Sequence, residues 1–228
     1  MIQTIKVEEL NQMGAVVGSG RPLKSAVPIG VSGRHLHLAQ EHVEILFGRG
    51  HQLTPIRELS QPGQCACDEV VTLQTAKGTL EGVRILGPAR PETQIELSLT
   101  DTFRLKLDVP VPVRMSGKIT GSPGLTLIGP VGQVTINEGV IIAQRHIHMT
   151  PQDAEETGCA DNQVVAVACG THRELVFGNV VVRVREDFRL DFHIDTDEAN
   201  GAGVKTGALA YILRPTLSYQ VPVSNLLG

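Results

Sequence analysis

The sequence has no tryptophan, two tyrosines and five phenylalanines in 228 residues. A core must therefore be built from Val, Ile and Leu. No apolar run approaches the roughly 20 residues that a membrane-crossing helix needs, which excludes a helical membrane span. The opening MIQTIKVEELNQMG lacks the apolar stretch and cleavage site of a secretory signal, so a cytoplasmic setting is expected. Positive charge is not in excess: the net charge is −4, which argues against nucleic-acid or anionic-membrane partners. An anionic ligand would have to meet a local cluster of cations. There is no Walker loop and no G-x-G-x-x-G, and no serine sits in a nucleophile elbow. Cys65, Cys67, Cys159 and Cys169 are expected to stay reduced. The Cys65-x-Cys67 pair could bind a metal but reads better as two small buried residues, and the spacing of Cys169 and His172 is too unspecific for a thiol–imidazole pair.

What is abundant is glycine (24) and proline (13), set between short Val-rich runs. That pattern favours strands with tight turns. Strands are expected at 26–32, 69–75, 80–87, 94–99, 103–108, 111–115, 125–128, 139–145, 163–168, 174–184, 189–195 and 208–213. Short helices are expected from Ala39 to Phe47 and from Pro151 to Thr157, the latter with Thr150 as N-cap and Pro151 in the first turn. Residues 1–20 read as an extension, with Ile2, Ile5, Val7, Leu10 and Met13 along one helical face that could dock on a partner; residues 215–228 read as a tail.

The chain repeats itself. VSGRHLHL (31–38) matches IAQRHIHM (142–149), CDEVVTL (67–73) matches ADNQVVAV (160–167), and GVRILGPARPETQIELSLTD (82–101) matches GNVVVRVREDFRLDFHIDTD (178–197). Three matched blocks in one order indicate duplication. The fold class expected is mainly β, two similar small β-barrel domains, each with short capping helices. The first copy carries an insertion around 48–64, of a size that is often functional. A duplicated architecture places a site at the seam between copies.

R-H-x-H occurs twice, as Arg34-His35-Leu36-His37 and Arg145-His146-Ile147-His148. On a strand, residues i and i+2 share a face, so both imidazoles of each pair can reach one ion while Leu36 and Ile147 enter a core. Neutral imidazole is the commonest metal ligand near neutral pH. Glu96 and His193 occupy corresponding strands and complete two sets of three: His35, His37 and Glu96, and His146, His148 and His193. Three protein ligands with open positions mark a catalytic metal. His42, His51 and His172 have no such partner and read as surface or structural residues. Arg90, six residues before Glu96, is placed to clamp a phosphate, and Arg84 and Arg57 could add charge. SGKITGSPG (116–124), with Lys118, reads as the turn between domains.

These motifs resemble a known family. G-V-S-x-R-H-x-H-L at Gly30–Leu38, L-S-Q-P-G-Q at Leu59–Gln64, R-x-L-G-P-x-R-x-x-x-Q-x-E at Arg84–Glu96, S-G-x-x-x-G-S-P-G at Ser116–Gly124 and R-H-I-H-M at Arg145–Met149 are similar to those of the PduL-type phosphate acyltransferases, or phosphate propanoyltransferases. The resemblance covers about residues 26–214. It implies transfer of an acyl group between coenzyme A and phosphate, acyl-CoA and phosphate giving acyl phosphate and CoA. It implies two zinc ions per chain, one held by His35, His37 and Glu96 and binding the CoA sulfur, the other by His146, His148 and His193. Arg90 matches the phosphate-binding arginine, and Ser32, Arg57, Arg84, Leu86, His193 and Asn200 match CoA contacts. The implied barrels are not sequential: residues 34–143 form the first, and residues 21–33 with 144–214 form the second. Many family members carry an N-terminal segment directing them into a bacterial microcompartment, so shell or lumen proteins are candidate partners, as is a second copy of the chain. Two other readings compete. A cupin-like metal enzyme would use Glu41 after His35 and His37, but Leu38–Phe47 reads as helix and Pro151 and Gln152 stand where the second copy would need the glutamate. A non-catalytic metal-binding module would not need Arg90 or open coordination positions.

Overall fold

The computed structural model describes residues 24–107 and 109–213. The extension expected at 1–20 and the tail at 215–228 lie outside the described residues. The first copy contributes β1 (Ala26–Ser32), β2 (His35–His37), β3 (Pro55–Glu58), β4 (Cys65–Gln74), β5 (Thr79–Gly87) and β6 (Gln94–Glu96). Four short strands lead to the second: β7 (Val113–Arg114), β8 (Thr126–Ile128), β9 (Gln133–Thr135) and β10 (Val140–Ala143). The second copy follows as β11 (His146–Met149), β12 (Val164–Cys169), β13 (Leu175–Val184), β14 (Asp191–Asp195) and β15 (Leu209–Leu213). Helices α1 (Gln40–Phe47), α2 (Leu99–Leu105), α3 (Pro151–Thr157) and α4 (Thr196–Ala202) are short.

The mainly β, duplicated architecture is the one expected, with one asymmetry. The second copy closes into a six-stranded barrel, β1-β14-β11-β13-β12-β15. The first forms an open half-barrel, β7-β10-β6-β2-β5-β4-β8-β9, with β3 on β4. The difference lies in one strand. β15 pairs with both β12 and β1 and so joins the two ends of its sheet. In the half-barrel, β8 and β9 extend from β4 without a ladder to β10.

The two copies exchange strands. β1 precedes the first H-x-H yet lies parallel to β14, with Gly30 opposite His193. β10 precedes the second H-x-H and lies parallel to β6, with Ile141 opposite Glu96. The connection from each borrowed strand to the following H-x-H therefore crosses the seam. Leu36 and Ile147, the central residues of the two motifs, are wholly buried, one in each of two Val/Ile/Leu cores.

The segment 103–108, expected as a strand, instead has Phe103–Leu105 as the end of α2, with residue 108 outside the described residues. Its alternating Phe103, Leu105 and Leu107 mimic a strand, but Ser98 accepts a hydrogen bond from the Asp101 main-chain N and starts a helix, which also ends β6 at Glu96. α4 begins the same way: Asp195 and Glu198 form a reciprocal capping box. Both starts are written in the sequence as Ser98-x-x-Asp101 and Asp195-x-x-Glu198. Thr150 caps α3 as expected, with Pro151 in the first turn.

Candidate active site at the seam

β2 lies between β6 and β5, with His35 opposite Glu96 and Arg84. β11 lies between β14 and β13, with His146 opposite His193, and His148 opposite Asp191 and Arg183. Paired residues share a face, so each motif's two imidazoles and the third residue from the neighbouring strand point together.

In the first copy the ligand atoms of His35, His37 and Glu96 all lie within 4.8 Å of one another, and the group could hold a metal ion. His35 Nδ1 is 2.8 Å from Gly33 O, and His37 Nδ1 is 3.2 Å from Leu86 O. A carbonyl can only accept, so both Nδ1 atoms carry the proton and both Nε2 atoms keep a free lone pair in the neutral ring. His146 is set in the same way, Nδ1 2.7 Å from Gln144 O. In the second copy the rings of His146, His148 and His193 stand 4.6–5.1 Å apart between centroids. His148 Nδ1 is buried there without a hydrogen-bond partner, and the buried His193 Nε2 faces the Asp191 carboxylate. An unpartnered ring nitrogen among three clustered imidazoles fits a cation that neutral imidazoles would bind.

Burial, then repulsion from Arg90 and His35, pushes the His37 pKa down to about 3. Burial and His193 bring His146 to about 4; burial, His146 and His193 bring His148 to about 2. All three are neutral at pH 7, as metal ligands must be. Burial acts to raise Glu96, and its shift down to about 2 comes from positive charge placed on His35 and His37, a charge that a bound cation would supply when the rings are neutral. A buried carboxylate in such a place calls for a cation. Glu96 Oε1 accepts from Gln94 Nε2 at 2.6 Å, and Gln94 also donates to Ser116 Oγ and accepts from the Gly117 main-chain N. Asp191 occupies the register of Gln94 in the second copy, with Oδ2 3.2 Å from His193 Nε2. Its carboxylate lies against Gly30, where a Cβ would stand 2.7 Å from Oδ2. Only glycine leaves room for it.

Both groups open into one cleft of about 1210 Å3. Ser32, Arg57, Arg84, Leu86 and Arg90 line it beside His35, His37, Glu96, His146, His148 and His193. The volume exceeds that of a typical small-ligand pocket, roughly 300–1,000 Å3, and suits a long ligand. Arg84 Nη1 donates to Cys67 O and Asp68 O, both at 2.8 Å. The Arg90 main chain is fixed to Leu38 O at 2.8 Å, and its Nη1 reaches Ser116 Oγ at 3.3 Å. Asn200 is exposed on α4 and is not among the lining residues.

The insertion reaches across the seam. Buried Gln61 donates from Nε2 to Arg189 O at 2.9 Å and accepts from Arg189 N at 3.2 Å, so a loop of the first copy is tied to the second beside the cleft. Gln61, Gln94 and Ser116 stood in the motifs that carry the resemblance but were given no role, and Asp191, Arg183 and Phe188 were not singled out. Arg183 was signalled by the alternation Val181-Arg183 on one strand; the role of Gln61 had no local signal, because its partner is remote.

The remaining histidines and cysteines take other roles. His42 Nδ1 meets Thr93 Oγ1 at 2.7 Å, and His51 Nε2 pairs with Glu69 at 2.8 Å. Glu41 is on α1 with its side chain 78% exposed, away from His35 and His37. Cys65 and Cys67 stand 3.9 Å apart, and burial and Cys65 push the Cys67 thiol up to about 12. Lys118 is exposed.

The comparisons with known proteins agree with this geometry. The phosphate propanoyltransferase family profile matches residues 28–205. A phosphate propanoyltransferase of Thermotoga maritima is 54% identical over 186 residues, 81% of this chain and 88% of that protein. Those of Sebaldella termitidis and Enterococcus faecalis are 51% and 48% identical, over 80% of this chain and 86% of each relative. No described helix is long and apolar enough to cross a membrane. With both halves of the duplication covered at this identity, the chain belongs to the phosphate propanoyltransferase family and is an acyl-transferring enzyme.

Proposed function

We propose that the chain transfers a short acyl group, propanoyl or acetyl, between coenzyme A and phosphate, by direct attack at a two-zinc site. The observation that carries the proposal is the meeting of two imidazole pairs and a buried, cation-seeking Glu96 in a cleft that also holds Arg90. His35, His37 and Glu96 would hold one zinc, and His146, His148 and His193 the other. Nitrogen and oxygen donors in threes suit zinc with open positions. Bound zinc would supply a soft centre for the CoA sulfur and Lewis acidity for the acyl carbonyl.

Arg90 holds phosphate by parallel N–H donors and orients one oxygen toward the carbonyl carbon. A phosphate O–C bond forms, the C–S bond breaks, and the thiolate leaves as CoA. Ser32, Arg57, Arg84 and Leu86 line the approach along which CoA would lie, and His193 borders it; Asn200 would meet only an outer part of that ligand. Direct transfer is favoured because, among the described residues, no cysteine lines the cleft and no serine there is hydrogen-bonded to a histidine. Residues 1–20 are proposed as a segment that addresses the enzyme to a bacterial microcompartment, which a fluorescent fusion of that segment tests.

The test of the activity is thiol release from propanoyl-CoA or acetyl-CoA on addition of phosphate, with metal analysis of the same sample. Two zinc per chain and phosphate-dependent thiol release are expected. Metal-replete protein that releases no thiol sinks the proposal, and an isolable acylated protein sinks direct transfer. Arg90→Ala should raise the phosphate requirement at least tenfold with zinc retained.

A further inference from the structure

We propose that Arg183 is the second arm of an arginine pair, opposite Arg90, that grips the phosphoryl group of phosphate and acyl phosphate. The proposal rests on the phosphate acyltransferase reading above and deepens it.

Four observations carry it. First, Arg183 lies opposite His148 in the parallel ladder between β13 and β11, so its side chain shares the face of the imidazole cluster, and it lines the cleft. Second, the side chain is held in place before any ligand arrives. Nη1 lies 3.5 Å from His148 Nε2, and the guanidinium carbon stands 5.4 Å from the centroid of the Phe188 ring, which itself packs on His148 at 4.2 Å. Stacking on an aromatic face fixes a guanidinium without using its donors. Third, the half-buried guanidinium has no carboxylate within salt-bridge distance among the described residues. Its donors other than the Nη1 hydrogen turned to His148 are therefore available to a bound anion.

The fourth observation is an asymmetry between the copies. In the first, β2 pairs with β5 with His35 opposite Arg84 and Leu36 opposite Ile85. In the second, His146 is opposite Val181, Ile147 opposite Val182 and His148 opposite Arg183. Arg183 thus stands where the first copy has Leu86. The basic residue of each ladder has moved by one inward-facing position. Arg84 spends its donors on the carbonyls of Cys67 and Asp68, whereas Arg183 keeps its donors toward the imidazoles. The halves have diverged, one wall apolar at Leu86 and the other cationic at Arg183. Arg90 faces that wall from the first copy, and after burial and Glu96, repulsion from Arg183 is felt at Arg90. Two guanidiniums converging on one cleft form a preorganised cradle for a multiply charged anion.

The test uses the zinc-loaded enzyme with Arg183→Gln, Arg183→Lys and Arg90→Gln, each with zinc content measured. Readouts are KM for phosphate, acyl phosphate and acyl-CoA, and calorimetric binding of inorganic phosphate. Arg183→Gln is expected to raise both phosphoryl KM values and weaken phosphate binding about tenfold or more. Its KM for acyl-CoA should stay within about twofold and its zinc content should not change. Arg183→Lys, which keeps the charge but loses the planar fork, should fall between. Unchanged phosphate binding in Arg183→Gln alongside a weakened Arg90→Gln overturns the proposal and leaves the phosphate site at Arg90 standing. A rise confined to the acyl-CoA KM assigns Arg183 to the CoA phosphates and overturns it too. Zinc lost from both Arg183 variants makes the residue a prop for His148, which again overturns it. If neither arginine affects phosphate, the reading on which the proposal rests falls with it.

Discussion

Arg145 Nε lies 2.7 Å from Glu198 Oε1, tying the second R-H-x-H to the third residue of α4. The bond recurs in the other copy, where Arg34 Nη2 meets Asp101 Oδ1 at 2.9 Å at the third residue of α2. In both copies this helix follows the strand that carries the third member of the side-chain cluster, Glu96 or His193. The arginine of the motif therefore aligns strand and helix, and the duplication has kept the device with a different acid in each half.

That pairing makes the first copy vulnerable at one point. Asp101 is 1% exposed, and its Oδ2 already lacks a partner. Arg34→Met leaves a buried carboxylate unpaired and should cost about 3 kcal/mol. The double variant Arg34→Met/Asp101→Asn should recover most of that loss. Urea denaturation of the three proteins measures it; an unchanged midpoint for the single variant would show that the ion pair contributes nothing net.

How much of this was readable beforehand follows from the kind of interaction involved. His35, His37, His146 and His148 announce themselves because the spacing of two is a strand property, and the duplication picks out Glu96 and His193 by position. α2 was missed because Phe103, Leu105 and Leu107 alternate as in a strand, and the cap at Ser98 outweighed that alternation. The arginines of R-H-x-H were legible as a motif but not as ion-pair partners, since Asp101 and Glu198 lie 67 and 53 residues away by the numbering of the pairs. Closure of one copy and not the other depends on β15 finding two neighbours, which no local pattern encodes.

On the proposed two-zinc site, the two trios should be separable. His37→Ala removes one donor of the first trio, and His193→Ala one of the second, which shares no ligand with it. Each variant is expected to lose about one zinc per chain and nearly all turnover, as removal of a ligand from a three-donor site does. Glu96→Gln keeps the hydrogen-bonding shape beside Gln94 but removes the charge, so it should weaken the first zinc while leaving the second. Metal analysis after dialysis against a weak chelator distinguishes these outcomes. Loss of both ions from a single substitution would mean that the sites fold as one unit.

Proton binding should destabilise the metal-free protein in a defined window. The imidazoles of His37, His146 and His148 titrate at 6.5 when unperturbed and are lowered in the fold to about 3, 4 and 2. Below 6.5 the unfolded chain binds protons that the folded chain refuses. Stability is thus full above that value and falls as pH drops toward the folded values. At pH 5 one such imidazole costs on the order of 2 kcal/mol. Denaturation midpoints of chelator-treated protein should therefore be clearly lower at pH 5 than at pH 7.5. A flat profile over that range would mean that the rings are open to water.

Gln61 offers the sharpest test of the insertion. Its amide makes two hydrogen bonds to the main chain of Arg189, and it is buried, so Gln61→Ala strands both the Arg189 N–H and the carbonyl. The loop carries Arg57, Leu59 and Ser60 along the cleft. Freeing it should raise the KM for acyl-CoA several-fold, because the wall that CoA would follow must now be ordered on binding. Zinc content and the KM for phosphate should hold, since no zinc-cluster residue and neither Arg90 nor Ser116 contacts Gln61 by hydrogen bond. Equal rises in both KM values would instead mean that Gln61 sets the spacing of the two copies, with the loop serving as a strut across the seam.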